Sequence, residues 1–210
     1  MSERAKALVA FGVPVVWSNA VLPRLGLGLR GRTLASVCFA CGYALIFRGA
    51  PNWLSTRGLR VGLGAATVVA AGYGGALAVA PVRGKIATIT DRSAEVSTVE
   101  WVAVHIPIGT VHGEELIFRG TLNPLLDRAF GTRIGAVFGA FAFGLWHIHP
   151  ARVAGDSVLG TVLATTAAGL VFGWLRRRGD SVTAPAAAHF TLNTGGAVAP
   201  VLARRLSTTR

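Results

Sequence analysis

Charge is scarce in this 210-residue chain: Asp, Glu, Lys and Arg together make 14% of it, where a soluble domain averages about 25%. That is too little polar material for a water-facing shell, so an ordinary soluble domain is excluded. Acidic residues are scarcer still, 9 against 21 basic ones, for a net charge of +12. The basic residues stand in short clusters between apolar runs and form no stripe or tail, which excludes nucleic acid as the partner. There are only two cysteines, Cys38 and Cys41. They implies no disulfide framework, and inside an apolar run they read as small packed hydrophobes rather than a redox pair. No Gly-Lys-Ser/Thr follows a glycine-rich loop, so the 27 glycines are not phosphate cradles. No internal repeat is present.

What is abundant is apolar sequence, 52% of the residues with a mean hydropathy of +0.54. Charge-free runs cover 7–23, 33–47, 61–82, 101–113, 134–151, 157–175 and 181–203. A spanning helix needs about 20 mostly apolar residues. Run 33–47 is short and is expected to extend past Arg48 toward Trp53. Run 101–113 must continue through "EELIFRGTLNPLLDRAF" to span. The expected fold is therefore all-α, a polytopic membrane helix bundle of about seven transmembrane helices, with six to eight as the range. Residues 1–99 hold about three of them and a polar connecting segment, 83–100. Residues 100–203 form the functional helical core, and the two parts make one integrated membrane domain. Glycine in runs such as "VGLGAATVVAAGYGGALAVAP" suits close helix packing in lipid.

At the N-terminus, Arg4, Lys6, an apolar run and then "SNA" resemble a signal peptide with its cleavage site. With further spans following, an uncleaved first helix is the expectation. Lys and Arg divide evenly between the two sides, so orientation stays open.

The few intramembrane ionisable groups carry the functional reading. Extending 101–129 as one helix and 134–149 as the next places a turn at Gly131. Glu114 lies 17 residues before that turn and His147 lies 16 after it. At ~1.5 Å per residue the two reach nearly equal depth in an antiparallel pair, about 24–26 Å from the turn. A second turn at "RRRGD" brings His189 and Asn193 to roughly 14 and 20 Å into the last helix. Four polar side chains from three helices then meet at similar depth. Glu115 and Arg119 share a face as an i, i+4 pair. An unpaired charge at mid-membrane is expensive, so Arg119 holds Glu115. Glu114 points elsewhere, has no sequence-local partner and is the candidate general base. His147 shares its face with Phe143. His105, His112 and His149 are turned away and read as structural.

In order along the chain, "EELIFR" (Glu114, Glu115, Arg119), "FGLWH" (Phe143, His147) and "HFTLN" (His189, Asn193) resemble the three motifs of the CAAX protease and bacteriocin-processing family. These are intramembrane peptidases that include the type II CAAX prenyl endopeptidase. The resemblance covers about residues 100–200. It implies an intramembrane endopeptidase, cutting a membrane-associated peptide or protein (a prenylated CAAX-like end or a leader peptide), in the cell (plasma) membrane and in contact with lipid. Glu114 and His147 would activate a water, His189 and Asn193 would stabilise the oxyanion, and Glu115, Arg119 and Phe143 would support the site. Two cofactor readings stay open: none, or a single zinc ion on Glu114, His147 and His189. Two other classes compete with the peptidase: a polytopic transporter with an intramembrane ion path, and a non-catalytic immunity or assembly factor on the same fold.

Overall fold

The structure, a computed structural model, describes residues 2–89 and 95–208. It is all-helical among those residues. We label the helices α1 (Glu3–Arg24), α2 (Leu29–Phe47), α3 (Thr56–Ala78), α4 (Ala80–Ala87), α5 (98–130), α6 (Thr132–Trp146), α7 (Ile148–Ala154), α8 (Val158–Gly179) and α9 (Thr183–Thr208). With α6 and α7 taken as one kinked rod and the short α4 set aside, the described residues form seven long helical rods. Four of them are both long and apolar enough to cross a membrane: Glu3–Arg24, Thr56–Ala78, Thr132–Ala154 and Val158–Gly179. Of the other three, α2 and α5 carry charges that lower their mean hydropathy, and α9 is lowered by His189, Asn193 and its Thr, Pro and Gly residues. The polar segment 83–100 is helical to Ala87, and its residues 90–94 lie outside the described residues.

Local chemistry explains the helix ends. Serine side chains cap four N-termini: Ser2 accepts from the Ala5 N–H, Ser55 from Gly58, Ser97 from Glu100 and Ser157 from Gly160. Each satisfies a main-chain donor that the helix leaves open. Gly131 turns the chain between α5 and α6 at φ 80°, a conformation that L side chains rarely adopt. Asp180 does so between α8 and α9 at φ 47°. Both turns fall where the sequence placed them. Two expectations are corrected. Helix α2 does not run past Arg48; that residue is left-handed at φ 56° and ends the helix, whose length comes instead from its start at Leu29. Cys38 and Cys41 do not pack in the core; both are free and exposed on the outer face of α2, which in a membrane rod is the lipid-facing side.

Small residues bring the rods together. At Gly169 on α8, a Cβ would stand 2.9 Å from the Ala140 Cα of α6, so only glycine permits that approach. Gly62 of α3 meets the Ala184 backbone of α9 in the same way, at 3.1 Å. Close backbone contact of this kind drives helix association in lipid, where apolar burial alone supplies little. Gly58 of α3 likewise packs on Ser181, whereas Gly64, Gly72, Gly74 and Gly75 face open space. The Tyr73 hydroxyl ties the far end of α3 to the Leu192 carbonyl of α9 at 2.9 Å. The α2–α5 contact is polar: Arg30 grips Glu100 through two hydrogen bonds of 2.8 and 3.0 Å, and Glu100 in turn contacts His105.

Helix α5 is continuous from 98 to 130 but not uniformly α-helical. It is π-helical over Trp101–His112 and again over Phe118–Leu122, with Pro107 inside the first stretch. Wider turns interrupt helices most often at functional positions. Here the two stretches bracket Gly113–Ile117, the single α-helical turn that carries both glutamates.

Candidate active site

The site is built from the middle of α5, the kink between α6 and α7, and α9. Glu114, Glu115, Arg119 and His189 are all buried, with Glu115 0% and Arg119 1% exposed. Arg119 Nη1 donates to Glu115 Oε1 at 3.2 Å, the i, i+4 pair. The guanidinium also lies over the Phe143 ring, 4.2 Å from its centroid, and within 5.1 Å of the Phe172 centroid. A buried cation needs such partners, since it has no water to replace them.

His189 stands between the two carboxylates. Its Nδ1 lies 2.8 Å from Glu115 Oε1, an acceptor, so Nδ1–H donates there. Its Nε2 faces Glu114 Oε2 at 3.8 Å. Glu114 is held from the other side: the Trp146 indole N–H donates to Oε1 at 3.1 Å, while Oε2 is buried with no hydrogen-bond partner. The sequence reading left Glu114 without a partner and singled out no role for Trp146. A tryptophan in an apolar run looks like packing, and the only signal was its place beside His147 in "FGLWH".

His147 is the first residue of the kink. Its Nδ1 lies 2.7 Å from the Phe143 carbonyl. A carbonyl only accepts, so Nδ1 carries the proton and Nε2 keeps its lone pair in the neutral ring. The four-residue spacing of Phe143 and His147 therefore has two uses. The Phe143 carbonyl fixes the imidazole tautomer, and its ring packs against His147 (centroids 4.8 Å apart) and Arg119.

Glu114, Trp146, His147 and Asn193 line one cavity of about 650 Å³. Asn193 Nδ2 is a buried donor without a partner. The rest of the wall is largely apolar, with Trp101 and Ile106 of α5, Tyr73 of α3 and Leu192 of α9 among it. The polar end thus offers a carboxylate, an imidazole and an unused amide donor in a chamber whose remaining wall is mostly apolar, with Thr110 and Arg204 also on it. That combination is suited to holding a water against a peptide carbonyl.

His105, His112 and His149 lie elsewhere. His105 bonds Thr33 at 2.7 Å and contacts Glu100, His112 stacks on Trp53, and the His149 main-chain N–H donates to Asn19. The uniform α-helical phase assumed for α5 is corrected by its π-helical stretches, where each residue advances less around the axis. Among the described residues no three His, Cys, Asp or Glu side chains converge to share one metal ion. No step below passes through a metal.

Residues 96–195 match the family model described as type II CAAX prenyl endopeptidase Rce1-like. No curated protein and no solved structure matches the chain.

Proposed function

We propose that this integral membrane protein, whose residues 96–195 match the type II CAAX prenyl endopeptidase Rce1-like family model, hydrolyses a peptide bond inside its cavity with Glu114 and His147 activating the water. The observation that carries the reading is the division of labour within one carboxylate. Trp146 occupies Glu114 Oε1, while the buried Oε2 has no hydrogen-bond partner and lies 3.8 Å from His189 Nε2. A buried acceptor without a partner is costly unless a ligand or water completes it.

In this reading a water sits between Glu114 Oε2 and His147 Nε2. Glu114 removes one proton as the water oxygen attacks the carbonyl carbon, and His147 Nε2 accepts a hydrogen bond from the other. The carbonyl electron pair moves onto oxygen, where the Asn193 Nδ2–H donates to the oxyanion. Pre-aimed donors in a water-poor site stabilise such charge without reorganising. Collapse of the intermediate breaks the C–N bond, and the proton held by Glu114 passes to the departing amine. His189, with Nδ1 committed to Glu115, contributes to the oxyanion site only through Nε2. Its main work is to link Glu114 to the Glu115–Arg119 pair.

The substrate is a membrane-associated peptide or protein whose cleaved segment enters the apolar chamber, in the cell (plasma) membrane. A prenylated CAAX-like end and a leader peptide both meet that description. The test is a cleavage screen of lipidated and unlipidated peptides against the protein in lipid nanodiscs, with products identified by mass. We expect one class to be cut at a single bond. His147→Ala should slow that cleavage by about 10²–10⁴-fold, the usual worth of a positioned acid–base group. A His147→Ala protein as fast as the wild type would remove His147 from the mechanism.

A further inference from the structure

The kink that delivers Trp146 and His147 has a cause and a support. Pro150 has no N–H, so it cannot bond the Trp146 carbonyl four residues earlier, and the helix breaks. Main-chain groups freed within a membrane must find partners in the protein. They find them on α1. The buried Ser18 hydroxyl donates to the Trp146 carbonyl at 2.7 Å. The Asn19 amide uses both ends: Nδ2 donates to the Leu145 carbonyl at 2.9 Å, and Oδ1 accepts from the His149 N–H at 2.7 Å. Nδ2 also bonds its own helix, at the Val15 carbonyl, 2.8 Å away.

Both residues lie in a five-residue π-helical turn, Trp17–Val21, the one place where α1 departs from α-helical geometry before its last turn. Such local turns re-aim side chains and recur at functional positions. The tripeptide "SNA", which resembles a signal-peptidase site in the sequence, is thus the part of α1 that is bonded into the α6–α7 break.

We propose that Ser18 and Asn19 are positioning residues of the active site. They hold the Leu145–His149 break so that the Trp146 indole reaches Glu114 Oε1, which leaves Oε2 open, and so that His147 faces the cavity. The inference rests on the reading of Glu114 as the water-activating carboxylate. It extends the working site to a helix outside residues 96–195, the segment that matches the family. Neither residue touches the cavity, so each acts through the kink.

The test reads the Trp146–Glu114 bond without any substrate. The full chain, in lipid nanodiscs, is labelled at the indole nitrogen of its five tryptophans, and the Trp146 resonance is the one lost in Trp146→Phe. Glu114→Ala marks where that resonance lies once the bond is gone. We expect Asn19→Leu to move the Trp146 resonance toward that position while Trp53 and Trp174, remote from the kink, stay in place. Ser18→Ala, which deletes one hydroxyl, should move it in the same direction and serves where the larger change prevents folding. Once a cleaved peptide is known, Asn19→Leu should lower kcat by about tenfold, as a small misplacement does, with KM unchanged. Added to Trp146→Phe it should lower kcat no further, because the two act as one unit. A Trp146 resonance that stays put in both variants, or fully multiplicative losses of kcat, overturns the proposal even if the wild type is a peptidase. A resonance that moves in a protein that cleaves nothing upholds the positioning and discards the hydrolytic reading.

Discussion

Arg119 is an arginine enclosed by aromatic rings, with Glu115 as its anionic partner and no route to water. Removing one member of such a pair strands the other, at a cost of about 3–5 kcal/mol, whereas removing both is far milder. Arg119→Gln should therefore unfold at markedly lower temperature than the wild type. Glu115→Gln/Arg119→Gln should recover part of the loss, as thermal unfolding in nanodiscs would show; equal loss in the single and double variants would mean the pair is not the source. This pair was legible in the sequence, because i, i+4 spacing puts Glu115 and Arg119 on one face and charge in lipid demands a partner. The meeting of Glu114 with the Phe143/His147 helix was also legible, from equal distances to the Gly131 turn. Trp146, Ser18 and Asn19 were not. Their roles depend on a kink whose partners come from a helix more than a hundred residues away, and spacing within one helix carries no trace of it.

At the scale of elements, the turns were legible and the interiors of the helices were not. Gly131 and Asp180 lie where charge and glycine punctuate the apolar runs. The π-helical stretches of α5 have no period that a sequence scan recognises. The helix expected over 134–149 instead kinks at His147 and continues as α7 to Ala154, because α1 satisfies the groups that Pro150 frees. Outside the spanning part of α5, its N-terminus is clamped to α2. The Arg30 hydrogen bonds, seconded by His105, lower the Glu100 carboxyl from its ordinary 4.5 to about 2. A lowered folded-state value stabilises the fold above pH 4.5, and that stability is lost as pH falls through 4.5 toward 2. Wild-type and Glu100→Gln unfolding curves should accordingly differ most near neutral pH and converge in that acid window. A difference independent of pH would assign the effect to packing instead.

Across the whole molecule, the family segment and the helices outside it form one site. Helix α1 supports the kink and α3 lends Tyr73 to the cavity wall, though the family match begins at residue 96. The membrane bundle was plain from composition, since scarce charge and long apolar runs permit little else. The site as a whole has carboxylate, imidazole and amide around one chamber, and the scheme proposed for it uses no metal. Exhaustive chelation should therefore leave cleavage intact, and elemental analysis should find the same metal content in wild type and His147→Ala. Stoichiometric zinc lost with that substitution would replace the metal-free scheme.

The most direct test of the central claim is the single-turnover cleavage rate of Glu114→Gln beside the wild type, on the peptide class that the screen identifies. Gln keeps the size of the side chain and an oxygen for Trp146 but cannot take a proton. The account predicts a loss of about 10²–10⁴-fold in rate with peptide binding retained. Cleavage by Glu114→Gln at the wild-type rate would contradict it, and would leave Glu114 as a packing residue of the bundle.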